Sequence, residues 1–227
     1  ENKLASKVAV IYNSSDVYSS GIYQKFAEEA NNQDFEVVSA EAFTEDSKTD
    51  FSAQIADCKN KGAELVFLPI YYQQASLILT QSKNAGFAPK FFGCDGLDGL
   101  TSIQNFDTSL AEGVMFLTPF AADSKDQATQ DFVKAYKAAY NDETPNQFAA
   151  DAYDGVKILA KLIESQKITG DMSASDICEK LKAGITAADF SYDGLTGTGM
   201  KWNANGEVSK SPKAVVIKDG NYAALDN

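Results

Sequence analysis

Phenols and carboxylates follow three short apolar segments of the chain, and together they suit a small ligand that carries a positive charge. Tyr18 comes after the first segment, Tyr71 and Tyr72 after the third, and Asp95 after the fourth. A phenol offers an apolar face and one hydroxyl, and a carboxylate offers negative charge and hydrogen-bond acceptors. These residue types favour an ammonium group paired with Asp95, with Tyr18 and Tyr71 packed around it.

The loops that carry these side chains contain no lysine or arginine. They span residues 13–20, 71–74 and 94–99, so a phosphate or a lone anion would find no cationic partner in them. No glycine-rich phosphate loop follows the first apolar segment, which argues against a nucleotide. A structural interpretation remains open, since each tyrosine can anchor a loop, and Asp95 and Asp98 can cap a helix or a turn.

The composition excludes several kinds of chemistry. The 227 residues include no histidine, which removes histidine-based acid–base catalysis and histidine metal ligands. Without a phosphate loop or paired catalytic carboxylates, the chain is predicted to be no enzyme and to need no cofactor or metal. The net charge of −12 argues against partners that are themselves negative, namely nucleic acid and anionic lipid.

Three cysteines lie far apart in the sequence, and no apolar stretch is long enough for a membrane-spanning helix. Cys58, Cys94 and Cys178 form no C-x-x-C pair, and an odd count leaves at least one thiol free. Their spacing alone does not decide whether any two are paired.

Predicted strands and helices alternate through the first half of the chain. Strands are expected at 8–12, 35–43, 65–70, 90–93 and 113–120, and helices at 22–31, 50–61 and 73–85. This alternation predicts an α/β fold with a Rossmann-like, doubly wound, mostly parallel sheet. The carboxyl ends of parallel strands share one edge, so the three loops should meet where the strand order reverses, between the first and third strands.

The second half has a different pattern. Apolar side chains at helical spacing predict three consecutive helices, at 125–140, 146–166 and 173–183. Extended segments at 194–202 and 214–218 follow, joined through the turn dipeptide Asn205-Gly206. The three helices either layer on the first sheet or belong to another lobe.

Several short segments occur in the order and spacing of one known family. They are Lys-Val-Ala-Val-Ile-Tyr at 7–12, Tyr-Ser-Ser-Gly at 18–21, Tyr-Tyr at 71–72, Phe-Gly-Cys-Asp-Gly at 92–96, Ala-Asp-Ala-Tyr-Asp at 150–154 and Gly-Leu-Thr-Gly at 194–197. Over essentially the whole chain they resemble the branched-chain amino-acid-binding proteins, the extracellular substrate-binding components of ABC transporters, which have the type 1 periplasmic-binding-protein fold. No single segment is diagnostic, but the set is fairly specific.

The resemblance implies a particular organisation. Family members have two α/β lobes joined by three crossings, with the ligand in the cleft between them. Residues 6–122 with 195–227 would form the second lobe, and 123–194 would be a helical segment that completes a first lobe whose N-terminal part is absent from this sequence. By position, Tyr18 and Tyr71 match tyrosines that contact ligand, with Tyr72 beside them. Asp95 matches the acidic acceptor of the α-ammonium group, which is Glu in other members.

The implied function is non-catalytic binding of an amino acid for uptake. The implied partners are a branched-chain or hydrophobic amino acid and a membrane permease, and the implied location is the periplasm or the outer face of a Gram-positive membrane, where the protein would be a lipoprotein. As a half site, this chain alone should bind amino acids weakly or not at all. Its unpaired helix faces should favour self-association or domain swapping. Alternatives are a sensory ectodomain of the same fold, or a site for another small polar ligand such as a sugar.

Overall fold

The computed structural model describes residues 4–225, and one seven-stranded sheet combines the first half of the chain with the last two strands. The strands are β1 Lys7–Asn13, β2 Glu36–Phe43, β3 Leu65–Leu68, β4 Lys90–Gly93, β5 Met115–Thr118, β6 Lys213–Lys218 and β7 Asn221–Ala224. Their order is β2-β1-β3-β4-β5-β6-β7, with parallel pairing from β2 to β5 and an antiparallel β6–β7 pair. The predicted mostly parallel sheet is confirmed, and β1 lies next to β3, as expected.

Helices cover both faces of this sheet. They are α1 Val17–Ala30, α2 Ser52–Asn60 and α3 Tyr72–Asn84. Alternate strand residues point to opposite faces. Thus Val10 belongs to an apolar cluster with Phe26 of α1, whereas the next residue, Ile11, belongs to the main core with Ile55 of α2 and Ile78 of α3. This double-sided burial explains why β3 is apolar throughout, with all four residues buried.

Helix α1 begins earlier than the sequence pattern predicted, and this moves Tyr18 into a helix. Ser19 and Ser20 were the expected caps, but Asp16 caps the helix, its carboxylate accepting from the backbone N–H groups of Tyr18 at 3.2 Å and Ser19 at 3.4 Å. The first helical turn therefore fixes Tyr18 at the carboxyl edge of the sheet.

The chain divides into two compact units. One takes the chain up to Thr118 and resumes at Ala214, and the other spans Pro119–Lys213. The second unit contains α4 Gln127–Ala139, α5 Gln147–Ser165 and α6 Ala174–Ile185, as the apolar spacing predicted. No helix within residues 4–225 has the length and apolar character needed to cross a bilayer.

Residues 195–213 belong to a different unit from the one to which the sequence pattern assigned them. They were grouped with the sheet, but the structure places them in the helical unit, and the segment after Gly194 forms isolated bridges, Tyr192 with Met200 and Trp202 with Val208, in place of a strand. The cause is a set of hydrogen bonds to Asp154 of α5, described below. The assignment of the two units to two lobes stays a prediction.

One face of α5 is apolar and exposed. Phe148, Val156, Leu159 and Ile163 are between 39% and 66% exposed, and they recur at helical spacing. The exposed helix face that the sequence led us to expect is therefore present. Self-association through it stays a prediction.

All three cysteines are free thiols. Cys58 is buried in the main core, Cys94 is half-buried and Cys178 is exposed. Burial raises the pKa of the Cys58 and Cys94 thiols to about 12. These two thiols are therefore neutral at physiological pH and have little nucleophilic character.

We expect the N-cap of α4 to make stability depend on pH. The Asp126 carboxylate accepts from Ser124 Oγ and from the Thr129 backbone N–H at 2.8 Å, and these bonds lower its pKa from 3.8 to about 2. The folded-state pKa is depressed, so the stabilisation is complete above pH 3.8 and is lost as pH falls toward 2. Asp126→Ala should cost about 1 kcal/mol at pH 7 and much less near pH 2.

Urea unfolding of both proteins at the two pH values measures this difference. Asp131→Ala, on the exposed side of α4, is the control and should change little at either pH. An Asp126→Ala effect that is the same at both pH values would contradict the prediction.

Candidate functional site

Asp95 lies at the carboxyl edge of the sheet, separated from the end of β4 by Cys94 alone. It opens a 3-10 helix, Asp95–Leu97, and its side chain is half-buried. The turn after β4 is tight, because a Cβ at Gly93 would overlap the Leu97 side chain and lie 3.0 Å from the Leu68 carbonyl oxygen. The local sequence therefore places a carboxylate at the end of a buried strand, where a ligand can reach it.

Tyr18 joins this carboxylate to helix α1. Its hydroxyl donates to Asp95 Oδ1 at 2.8 Å and accepts from the backbone N–H of Gly96 at 2.9 Å. Burial and the negative charge of Asp95 raise the pKa of the Tyr18 phenol far above its usual value of 10.0. The hydroxyl therefore keeps its proton and remains a donor to Asp95.

Tyr71 completes a group of three with Tyr18 and Asp95. Its ring stacks on the Tyr18 ring, with centroids 5.0 Å apart and planes 27° from parallel. The Tyr71 side chain is 39% exposed, and its pKa is raised by burial and by the charges of Asp16 and Asp95. The structure thus brings together the carboxylate and both phenols that the sequence predicted at one edge.

Tyr72 has a different environment from Tyr71. It is the first residue of α3, and its partly buried ring packs against the main core. A Cβ at Gly99 would lie 3.2 Å from its Cε1 atom, so the ring also borders the loop after β4. Asp98 of that loop is only 2% exposed. Ligand contact by Tyr72 stays a prediction, and its observed contacts are those of a core residue.

A pocket of about 530 Å³ lies beside Tyr71 and includes residues that the sequence argument did not consider. Glu45 and Lys48, which follow β2, line it together with Asn13 and Asp16. Lys48 Nζ lies 2.6 Å from Glu45 Oε2, and Asn13 Nδ2 donates to Glu45 Oε1 at 2.6 Å. The loops at 13–20, 71–74 and 94–99 contain no basic residue. The loop after β2 brings a basic residue, Lys48, to this edge, where it is paired with the Glu45 carboxylate.

Tyr222 of β7 is a further contact that sequence reasoning missed. Its hydroxyl accepts from the Gly99 backbone N–H at 2.8 Å, within the loop that carries Asp95. The two residues are far apart in the chain and belong to no recognisable pattern. Only the order of strands in the sheet, which places β7 beyond β5 and β6, brings that phenol to the loop.

The helical unit contains a separate pocket of about 760 Å³, beside the glycine-rich segment 194–199. The buried Asp154 carboxylate lines it and accepts from the Leu195 N–H at 3.0 Å, the Thr196 N–H at 2.9 Å and Thr196 Oγ1 at 2.8 Å. The role of Asp154 here is to hold the segment in place.

Comparison with known proteins agrees with the fold. A family model described as periplasmic binding protein matches residues 1–221. The chain is 28% identical over 179 residues to the leucine-, isoleucine-, valine-, threonine- and alanine-binding protein of Pseudomonas aeruginosa, an alignment that covers 78% of this chain and 46% of that protein. The chain spans about half the length of the curated relatives it matches.

Solved structures show the same architecture. The branched-chain amino acid transporter substrate binding protein LivJ from Streptococcus pneumoniae, in complex with isoleucine, matches with a TM-score of 0.79 and 26% identity, over 97% of this chain and 59% of that one. The leucine binding protein LivK from Thermotoga maritima shares the fold, with a TM-score of 0.78 and 22% identity, over 98% of this chain and 60% of that one. Since the family model matches nearly the whole chain, over residues 1–221, the chain belongs to the periplasmic binding protein family.

Proposed function

We propose that this chain supplies the ammonium-binding half of an amino-acid site in the substrate-binding component of an ABC-type uptake system. The ligand would be a branched-chain or other hydrophobic amino acid, and the protein would act by binding and not by catalysis. The observation that carries the proposal is the contact of Tyr18 Oη with Asp95 Oδ1 at 2.8 Å, with Tyr71 stacked on Tyr18.

The geometry suits an alkylammonium group. Asp95 is half-buried, so its charge is less screened than on an open surface while it stays accessible. The stacked rings of Tyr18 and Tyr71 present aromatic surface beside it, and such surface attracts a cation and covers an apolar side chain. Both phenols have raised pKa values, so they stay neutral and do not change the charge of the site as pH varies around 7.

The residues described around the pocket beside Tyr71 supply little for the ligand's carboxylate. Among the described residues that line this pocket, Lys48 is the one cationic side chain, and it is already paired with Glu45. We therefore propose that the carboxylate is held by groups outside this chain, in a longer protein of the family. An extracytoplasmic location and a membrane permease as partner follow from the same proposal.

The site should distinguish an amine from an acid of the same shape. We expect 3-methylbutylamine to bind the chain about as well as leucine, with a dissociation constant of order 1–10 mM, since contacts worth about 3–4 kcal/mol correspond to that range. The deaminated acid, 4-methylpentanoate, should not bind measurably. NMR titration of the Gly96 amide signal, which reports on the Tyr18 contact, measures all three ligands.

Asp95→Asn should weaken amine binding about tenfold or more, because it removes the charge from the acceptor. Asp189→Asn, the same change at an exposed site in the helical unit, is the matched control. Equal binding of the amine and the acid, or unchanged amine binding in Asp95→Asn, would contradict the proposed function. Binding of a neutral sugar at the same signals, with no response to the amine, would favour the other ligand class.

A further inference from the structure

We infer that Tyr222, in the last strand, is a positioning residue for the ammonium acceptor, because it fixes the loop on which Asp95 stands. The inference rests on the proposed function and adds a residue that neither the sequence pattern nor the family match assigns to the site. It concerns one unit only, since β7 and the loop after β4 belong to the same compact unit.

Two phenol oxygens hold two different amides of this loop. Tyr18 Oη accepts from the Gly96 N–H at 2.9 Å, and Tyr222 Oη accepts from the Gly99 N–H at 2.8 Å. Asp95 directly precedes the first of these amides. A loop held at two amides has less freedom to rotate than one held at a single point, so both phenols restrain the direction of the carboxylate.

A hydrogen bond to the Gly99 amide restrains the loop effectively because of the backbone conformation of Gly99 and the burial of its neighbours. Gly99 has a φ of +106°, in the left-handed region, and connects the 3-10 helices Asp95–Leu97 and Leu100–Ser102. Leu97 and Leu100 on either side are fully buried. Their side chains fix the depth of the loop in the core, and the Tyr222 hydroxyl fixes the direction of the peptide between them.

Tyr222 is itself rigidly held. Its ring stands edge-on to Phe116, with centroids 5.2 Å apart, and the residue pairs with Ile217 across the β6–β7 ladder. Burial and the charge of Asp98 raise the pKa of its phenol to about 12. The hydroxyl is therefore neutral at physiological pH and is fixed at its place beside the loop.

Tyr222→Phe removes the acceptor and keeps the ring. We expect amine binding to weaken about three- to tenfold, the range for loss of one neutral hydrogen bond that orders the loop. In the Asp95→Asn background the same change should have no further effect, since there is no charged acceptor left to position. A purely structural role for Tyr222 would lower binding equally in both backgrounds.

The experiment is a double-mutant cycle on the full chain, with 3-methylbutylamine as the probe and NMR titration as the readout. Hydrogen exchange of the Gly99 amide is measured in parallel and should become faster in Tyr222→Phe. Tyr12→Phe is the matched control, because Tyr12 is a half-buried phenol of β1 that stacks on Tyr23, outside the loop. It should leave both readouts unchanged.

Each result has a definite meaning. Weaker amine binding that depends on Asp95, together with faster Gly99 exchange, supports the inference. Unchanged amine binding in Tyr222→Phe, or an equal loss in both backgrounds, overturns it while Asp95→Asn still defines the ammonium site. An Asp95→Asn chain that binds the amine as well as the wild type would instead overturn the proposed function, and the inference with it.

Discussion

Asp154→Ala is expected to destabilise the helical unit by about 3–5 kcal/mol, because it leaves buried backbone donors without acceptors. Asp154 is 3% exposed, and Thr196 is 1% exposed. The lost carboxylate accepts from two backbone N–H groups and one hydroxyl, at 2.8–3.0 Å. The Thr196 hydroxyl can turn toward another partner, but the two amides of residues 195 and 196 cannot move without breaking the segment.

The backbone at Gly194 lies tightly against the Asp154 carboxylate. A Cβ at Gly194 would lie 2.5 Å from its Oδ2 atom, so the backbone of the segment is packed directly against the carboxylate. Alanine in place of Asp154 therefore creates a cavity next to two polar groups that need an acceptor. Urea unfolding at pH 7 measures the loss of stability.

Asp151→Ala provides a control on the same helix. Asp151 pairs with Lys210 at 2.7 Å, but its side chain is 40% exposed. Exposed ion pairs contribute little, so this substitution should cost less than about 1 kcal/mol. Equal losses of stability in the two variants would show that Asp154 does not hold the 194–199 segment as described.

Gly96→Ala is expected to remove amine binding and to destabilise the sheet unit by about 2–3 kcal/mol, the range for overpacking at a tight site. The added Cβ would lie 2.6 Å from the Ile70 carbonyl oxygen and 2.9 Å from Tyr18 Oη. The first neighbour is the backbone of a buried residue just after β3, so it cannot move aside at low cost. The loop must shift instead, and Asp95 shifts with it.

Gly21→Ala is the matched control for this substitution. Gly21 lies within α1, and a Cβ there would have no atom within 4 Å. Alanine is the better helix former, so this change should be neutral or stabilise the unit by about 0.5–1 kcal/mol. Titration with 3-methylbutylamine should then match the wild type. Retention of amine binding in Gly96→Ala would contradict the close packing of the Asp95 loop.

Much of the first unit followed from the sequence because its signals are local. Short apolar segments that alternate with amphipathic ones predict a doubly wound sheet, and the rule that parallel strands share one carboxyl edge predicts which loops meet. For that reason the sequence alone predicted the proximity of Tyr18, Tyr71 and Asp95. The predicted pairing of Asp95 with an ammonium group rests on charge and residue type, strengthened by the family resemblance, and it stays a prediction.

The remaining features depend on contacts between distant parts of the chain. Asp16 caps α1 because its carboxylate reaches two amides, although Ser19 and Ser20 are equally good caps by residue type. The hydrogen bonds of Asp154 to residues 195 and 196 place that segment with the helices, and no periodicity marks them. Tyr222 reaches Gly99 only because of the final strand order.

The bridge between Trp202 and Val208 has a practical consequence for spectroscopy. Trp202 is the only tryptophan in the chain, and it lies in the helical unit with its ring 6.0 Å from that of Phe190. Indole emission therefore originates in that unit, whereas tyrosines occur in both units. An intrinsic optical signal can thus follow the unfolding of one unit of this polypeptide, without any attached dye.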